Sequence, residues 1–123
     1  MDVNVQIMDT IRESDGLAMS SRNAYLLANE REKAPIIYKS LFAAQEVFDS
    51  RLARGMEEVD ASDLEEVVKS ILQTESLISD IQYVAIDDLE TMQPLEKVGS
   101  DGCIISLACM LGSVRLIDNI VLR

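Results

Sequence analysis

Apolar side chains in the middle of the chain recur with helical spacing. One stripe comprises Ile37, Leu41, Ala44, Phe48 and Leu52. A second stripe comprises Leu64, Val67, Val68, Ile71 and Leu72. Because residues three and four positions apart share one face of a helix, these stripes predict two amphipathic helices. We expect Gly55 to end the first helix and a capping box at residues 62–65 to start the second.

Shorter helical segments are expected before these stripes. Ser20 or Ser21 is suited to cap a short helix through Leu27, because a serine oxygen accepts hydrogen bonds from unpaired backbone N–H groups. Residues 29–32 match a capping box for another helical segment. Pro35 is expected to kink this segment or to reset its start, since proline disrupts a helix interior.

Strand patterns occur near both ends of the chain. Alternation in residues 3–7 predicts a short first strand, and residues 81–86 are rich in β-branched and aromatic side chains. Residues 103–111 form a nearly continuous apolar run, which is typical of a central strand buried on both faces. A Gly-Ser turn at residues 112–113 should connect it to a final strand over residues 114–122.

These elements predict an α+β fold, in which helices pack as one layer on a small three-stranded antiparallel sheet. Residues 87–102 contain one proline and two glycines and are expected to be mostly a connection. The length of 123 residues suits one domain with its own core. A hydrophobic content of 48% with 27% charged residues is that of a globular protein and not of a disordered one.

The net charge of −11 limits the possible partners. Nucleic-acid binding needs a basic surface, so we expect no nucleic-acid partner. An anionic nucleotide would need local positive charge or backbone N–H donors. No apolar run is long enough to span a membrane, and Met1 is not followed by a signal segment, so we expect a cytoplasmic protein without a membrane partner.

The chain contains no histidine and two cysteines. Without histidine it lacks the commonest general base, the usual zinc ligand and every histidine-activated nucleophile. Cys103 and Cys109 on one strand would be too far apart for a disulfide, so we expect free thiols, as in a reducing cytosol. Neither thiol has a basic sequence neighbour that would activate it as a nucleophile.

Residues 15–23, Asp-Gly-Leu-Ala-Met-Ser-Ser-Arg-Asn, are the strongest candidate for chemistry. The hydroxyls of Ser20 and Ser21 can donate to phosphate oxygens, and the guanidinium of Arg22 matches two of them. A helix that starts here would add backbone N–H donors, and Gly16 gives the preceding turn conformational freedom. On spacing alone this signal is weak, because Ser-Ser-Arg before a helix is usually a helix cap followed by a solvated arginine.

Other polar groups are expected to be structural. The acidic pairs at residues 57–58 and 87–88 lack a third spaced ligand and are interpreted as surface charge. Arg115 and Asp118 lie in a segment suited to burial. An internal ion pair, or hydrogen bonds from Asn119 to a neighbouring loop, would satisfy them.

Residues 12–13, 15–23, 25–26 and 115–119 together resemble the pantothenate synthetase family, also called pantoate–β-alanine ligases. The resemblance covers essentially the whole chain, but only the C-terminal portion of the family's proteins. It implies an enzyme that converts ATP and pantoate to pantoyl adenylate and pyrophosphate, with Mg²⁺ held by the ATP phosphates. The amine of β-alanine then attacks the adenylate to give pantothenate and AMP, a step toward coenzyme A.

The resemblance also assigns roles to single residues. By this resemblance, Ser20, Ser21 and Arg22 would contact the triphosphate and stabilise charge on the departing pyrophosphate. Met19 would lie against the adenine, and the backbone of Ile11 would read the adenine edge. ATP is therefore the expected ligand, and no protein metal ligand is expected.

The resemblance further implies that part of the active site lies outside this chain. The family's histidine motif, pantoate pocket and phosphate-binding lysine belong to a Rossmann-type, nucleotidyltransferase-like domain. We interpret residues 1–11 as the remnant of its last strand and residues 12–123 as the C-terminal lid domain. Such a fragment should be inactive without its own N-terminal domain, through which the full enzyme forms a homodimer. The alternative is a free-standing, non-catalytic binding or regulatory domain with the same fold.

Overall fold

The computed structural model describes residues 11–123, and its fold is the expected α+β arrangement. A 3₁₀-helix, Ser21–Tyr25, precedes the α-helices α1 (Ala28–Lys33), α2 (Ile36–Ala53) and α3 (Ala61–Leu72). The strands are β1 (Val59–Asp60), β2 (Ile78–Asp87), β3 (Lys97–Val98), β4 (Cys103–Leu111) and β5 (Val114–Leu122). None of the described helices is long and apolar enough to cross a membrane. The strand predicted at residues 3–7 lies outside the described residues.

The main sheet has three antiparallel strands in the order β2-β4-β5, as predicted. β4 and β5 have the predicted bounds, and β2 extends beyond the predicted residues 81–86 at both ends. Leu111 pairs with Val114 across the predicted turn, in which Gly112 has a φ of 60°. A glycine adopts this left-handed conformation without steric cost, so the hairpin turn closes tightly.

Helices α2 and α3 cover one face of this sheet. Their buried side chains form a single core with alternate residues of β4, namely Cys103, Ile105, Leu107, Cys109 and Leu111. Removing this apolar surface from water is the main stabilising contribution to the fold. The opposite face carries a cross-strand row of Tyr83, Ala108 and Ile117. Tyr83 and Ile117 are 43% and 58% exposed, so this second face is open next to the N-terminal motif.

A second, two-stranded sheet was not predicted. β1 pairs antiparallel with β3, with Val59 opposite Val98 and Asp60 opposite Lys97. The segment expected to be only a connection therefore contains one short strand. Strands of two residues are too short to show a hydrophobic period, so the sequence pattern could not indicate them.

The predicted start of α3 is wrong. The helix begins at Ala61, after Asp60, whose side chain makes no capping hydrogen bond. Within the expected capping box, the Asp63 carboxylate instead accepts a hydrogen bond from Nη1 of Arg51 at 2.6 Å, which links α3 to α2. An acidic side chain near a helix start can pair with a neighbouring helix, so the capping pattern did not fix the first helical residue.

The short helices before α2 also differ from the prediction. The helix expected at residues 20–27 is a five-residue 3₁₀-helix. The capping box expected at residues 29–32 does not form, because α1 begins at Ala28, before the expected cap. Instead, Oε1 of Glu30 accepts from the backbone N–H of Leu27 at 2.8 Å. Pro35 separates α1 from α2, as expected from its effect on helices.

Candidate functional site

Residues 11–19 fold back on themselves, and we call this segment the motif hairpin. The backbone N–H of Met19 donates to the carbonyl oxygen of Ile11 at 2.9 Å, which closes the hairpin. Gly16 at its turn has a φ of 95°, and a Cβ atom there would lie 2.6 Å from Cδ2 of Tyr38. Glycine is therefore required at this turn for backbone conformation and for space.

Arg12 anchors the motif hairpin to β5. Its Nη1 donates to Oδ2 of Asp118 at 2.6 Å and to the Gly16 carbonyl at 3.1 Å, and its Nη2 donates to the Asn119 carbonyl at 2.9 Å. The guanidinium carbon lies 4.0 Å from the centre of the Tyr38 ring, within cation–π distance. The Asp118 side chain is only 1% exposed, so loss of Arg12 would leave a buried charge without compensation.

Arg31 of α1 holds the outer side of the motif hairpin. Its Nη1 donates to Oδ2 of Asp15 at 2.7 Å, and its Nη2 donates to Oε2 of Glu13 at 3.1 Å. The hydrogen bond from Arg31 lowers the pKa of Asp15 below its ordinary value. These side chains are partly exposed, so the pairs add little stability, but Arg31 compensates one of the two negative charges beside the motif.

Ser20, Ser21 and Arg22 follow the motif hairpin at the solvent-exposed surface. Oγ of Ser20 accepts from the backbone N–H of Arg22 at 3.2 Å, which leaves the hydroxyl proton free to donate. Nη1 of Arg22 lies 3.5 Å from the Arg115 carbonyl oxygen, at the outer limit of a hydrogen bond. Within residues 11–123 no carboxylate forms an ion pair with Arg22, so its charge is available to an anionic ligand.

A pocket of about 220 Å³ lies between the two sequence motifs. Its lining includes Ser20, Arg22 and Asn23 from the first motif and Arg115 and Asp118 from the second. Nδ2 of Asn23 donates to a carbonyl of the motif hairpin at 3.0 Å. Its buried Oδ1 has no hydrogen-bond partner among the described residues, so the pocket retains an acceptor for a donor group. Residues far apart in the sequence therefore place polar and charged groups in one pocket.

Ile11 and Met19 lie next to each other at the open end of the motif hairpin and are 72% and 58% exposed. The Ile11 carbonyl uses one lone pair for the Met19 N–H and retains the second. A neighbouring pocket of about 320 Å³ is lined by residues including Met19, Ser20, Tyr83 and Ile117. The exposed apolar side chains of Ile11 and Met19, next to the polar groups of Ser20 and Arg22, are suited to a planar ring that carries charged groups.

The expectation of an internal ion pair near the chain end is confirmed for Asp118, but its partner is Arg12. Arg115 lies on the face of β5 opposite to that of Asp118, and its Nε donates to Oε1 of Gln82 at 2.6 Å. No sequence pattern predicted these contacts of Arg12 and Arg31. A carboxylate at a buried position of a strand needs a cationic partner, and this signal at Asp118 could have indicated one.

The two cysteine thiols and the Asp88 carboxylate are held in structural roles. Burial raises the pKa of Cys103 to about 12 and that of Cys109 to about 11, so neither free thiol is an activated nucleophile. Asp88 accepts from the backbone N–H groups of Thr91 at 2.9 Å and Glu90 at 2.8 Å, which lowers its pKa. Across residues 11–123, no group of three His, Cys, Asp or Glu side chains is placed to hold a metal ion.

Comparison with known proteins identifies relatives along essentially the whole chain. The family model described as pantoate-beta-alanine ligase matches residues 1–121. The pantothenate synthetase of Herpetosiphon aurantiacus is 43% identical over 122 residues, which are 99% of this chain and 42% of that protein. The pantothenate synthetase of Fervidobacterium nodosum is 43% identical over 123 residues, 100% of this chain and 41% of that protein.

A solved structure supports the same relationship. The crystal structure of pantothenate synthetase from Thermus thermophilus matches with a TM-score of 0.74 and 33% identity, over 90% of this chain and 37% of that chain. This chain therefore spans about two fifths of the length of these curated relatives. The resemblance inferred from the motifs is confirmed, and the chain belongs to the pantoate–β-alanine ligase family.

Proposed function

We propose that this chain is the ATP-facing, C-terminal part of a pantoate–β-alanine ligase, an AMP-forming enzyme of pantothenate and coenzyme A biosynthesis. The observation that carries the proposal is the pocket formed jointly by residues 15–23 and 115–119, in a chain that matches the family over residues 1–121. In the proposed reaction, ATP and pantoate give pantoyl adenylate and pyrophosphate. The β-alanine amine then displaces AMP to give pantothenate.

Ser20, Ser21 and Arg22 are assigned to the triphosphate. Ser20 retains a hydroxyl proton to donate, and the charge of Arg22 is not compensated by a carboxylate within residues 11–123. Negative charge accumulates on the departing pyrophosphate, so donors fixed there stabilise the transition state more than bound ATP. The 3₁₀-helix has only five residues, so these side chains rather than a helix dipole are proposed to supply the stabilisation.

Met19 and Ile11 are assigned to the adenine. Both side chains are exposed at the open end of the motif hairpin, and the flexible, polarisable thioether of Met19 can adapt to a ring face. The free lone pair of the Ile11 carbonyl can accept from an exocyclic amine.

Mg²⁺ is proposed to bind together with ATP rather than to a site on this chain. Mg²⁺ takes oxygen ligands and in nucleotide sites uses the substrate phosphates. The described residues 11–123 offer no cluster of carboxylates for it. The triphosphate and water would supply its ligands.

The remaining chemistry is assigned to a Rossmann-type domain that precedes this chain in the complete enzyme. The chain has no histidine and covers 42% of the Herpetosiphon aurantiacus relative. We therefore assign the family's histidine motif, its pantoate pocket and its dimer contacts to that domain. In this proposal residues 1–11 belong to its last strand, and residues 12–123 form a lid over the ATP.

A chimera tests the proposal. The matching segment of the Herpetosiphon aurantiacus enzyme is replaced by this chain, and pantothenate, AMP and pyrophosphate are measured with pantoate, β-alanine and ATP. We expect the chimera to form all three products in equal amounts, and the free chain to form none. The unmodified relative is the control for activity.

Two results would contradict the proposal. A chimera that melts cooperatively but forms no pantoyl adenylate would exclude the assigned role in ATP chemistry. Pantothenate formation by the free chain would exclude the assignment of essential groups to another domain. Tight ATP binding by the free chain, combined with an inactive chimera, would favour a free-standing binding domain.

A further inference from the structure

A second arginine, Arg115, lines the same pocket as Arg22. Both residues line the pocket of about 220 Å³ and also a neighbouring one of about 520 Å³. Nη1 of Arg22 extends to within 3.5 Å of the Arg115 carbonyl. In a chain with a net charge of −11, two arginines that line one pocket form a local exception to the acidic composition.

Asp118, the acidic residue of the pocket lining, is already paired with Arg12 at 2.6 Å. An ion pair of opposite unit charges has a weak field beyond its immediate contact, so Asp118 compensates little of the pocket's positive charge. Asp15 and Glu13 lie outside the lining and share Arg31, at 2.7 Å and 3.1 Å, so these three groups together keep one negative charge. For the part of the chain from residue 11 onward, no ion pair involves Arg115.

Gln82 orients Arg115 without removing its charge. The Arg115 Nε donates to Oε1 of Gln82 at 2.6 Å. Guanidinium carries five N–H donors in a rigid planar fork, so fixing Nε directs the other four while leaving them available. A carboxylate in place of the Gln82 amide would hold the Arg115 side chain equally well but would compensate its positive charge. A neutral amide is the partner expected where the guanidinium must bind an anion.

We propose that Arg115 is a second phosphate-binding residue, which together with Arg22 and Ser20 binds two linked phosphate groups. The inference rests on the proposed function, because it places the pyrophosphate portion of ATP in this pocket. Two linked phosphate groups carry more charge and more acceptor oxygens than one guanidinium can match. The site should therefore prefer inorganic pyrophosphate to inorganic phosphate.

The test is a titration of the 123-residue chain with inorganic pyrophosphate, followed by nitrogen-15 NMR of backbone amides and arginine Nε–H groups. Sodium sulfate at equal ionic strength is the reference for nonspecific anion effects. We expect saturating shifts at Arg22, Arg115 and Ser21, with a dissociation constant on the order of 1 mM. Inorganic phosphate should shift the same signals with weaker affinity.

Variants identify the residues that bind. Arg115→Gln should raise the pyrophosphate dissociation constant about tenfold, because a charge-assisted hydrogen bond is lost. Gln82→Leu should raise it less, since the charge of Arg115 remains and only its orientation is lost. Arg54→Gln is the matched control, because it removes one exposed arginine charge at the end of α2, away from the pocket. It should leave the dissociation constant unchanged.

Equal dissociation constants for Arg115→Gln and Arg54→Gln would overturn the assignment, as would pyrophosphate shifts no larger than those with sulfate. The comparison uses variants whose amide spectra outside the pocket match the parent. Failure of the proposed function gives a different result. A chimera that makes no pantothenate, while pyrophosphate still shifts Arg22 and Arg115, contradicts the ligase proposal and supports the anion site.

Discussion

Nη1 of Arg12 lies 2.6 Å from Oδ2 of Asp118, although the two residues are 106 positions apart in the chain. This contact fastens the motif hairpin to the last strand of the sheet. The position of Ser20 and Arg22 relative to Arg115 is therefore set by a long-range ion pair and not by local sequence. A contact of this kind is costly in loop-closure entropy, and the compact core offsets that cost.

Removing this ion pair should destabilise the fold. Arg12→Gln is expected to lower the free energy of unfolding by about 3 kcal/mol, because it leaves the buried Asp118 carboxylate without its partner. Adding Asp118→Asn should recover part of this loss, since the buried charge is then removed as well. Urea unfolding of the two single variants and the double variant measures the coupling. Strictly additive losses would contradict a direct interaction.

The exposed ion pair between Arg51 and Asp63 is the control for this comparison of single and double variants. Its side chains are 33% and 45% exposed, so Arg51→Gln should cost less than about 1 kcal/mol. If Arg51→Gln lowered the free energy of unfolding as much as Arg12→Gln does, burial of the carboxylate would not be the cause of the loss.

The turn of the motif hairpin should not tolerate a side chain. Gly16 and Gly55 have nearly the same φ, 95° and 94°, but a Cβ at Gly16 would meet the Tyr38 ring and one at Gly55 meets nothing within 4 Å. Gly55→Ala should therefore cost only the conformational strain, about 1 kcal/mol. Gly16→Ala should cost clearly more in thermal or urea unfolding. Equal losses would contradict the contact with Tyr38.

Arg22→Ala should separate catalysis from folding. In the chimera we expect pantoyl adenylate formation to fall about a hundredfold, since a donor to the leaving pyrophosphate is lost. The melting temperature should stay unchanged because the side chain is exposed and forms no ion pair within residues 11–123. Arg54→Ala provides a control for loss of one positive charge. Equal adenylation rates for Arg22→Ala and the parent would exclude the phosphate role.

Alkaline pH should destabilise the fold through the buried thiols. Unfolded cysteines ionise near their ordinary pKa of 9.0, whereas burial raises the pKa of Cys103 to about 12 and that of Cys109 to about 11. Above pH 9 the folded state therefore binds more protons than the unfolded state, and stability falls as pH rises toward these values. Urea unfolding between about pH 8 and pH 11 measures the slope.

A variant carrying Cys103→Ala and Cys109→Ala isolates this effect from the ionisation of lysine and tyrosine. It should be less stable at neutral pH, because it leaves cavities in the core, but its stability should fall less steeply with rising pH. Parallel profiles for parent and variant would show that the thiols do not cause the alkaline loss.

Local patterns were sufficient for the central strands and for the apolar faces of the long helices. Residues 103–122 combine a long apolar run with a glycine turn, so both strand bounds could be predicted. The pair of Arg12 and Asp118 could not be placed, because residues 106 positions apart share no local period. Ser20, Ser21 and Arg22 were found from their chemistry, but the position of Arg115 beside them depends on the tertiary fold.

The attachment of the motif hairpin to β5 also constrains how related sequences can recombine. A crossover between residues 23 and 115 would take Arg12 from one parent and Asp118 from the other. Any hybrid in which only one of the two charges is inherited would bury that charge alone. Recombination within this family is therefore expected to give folded proteins when the motif hairpin and β5 come from the same parent. Crossover points in surviving hybrids should lie before the motif hairpin.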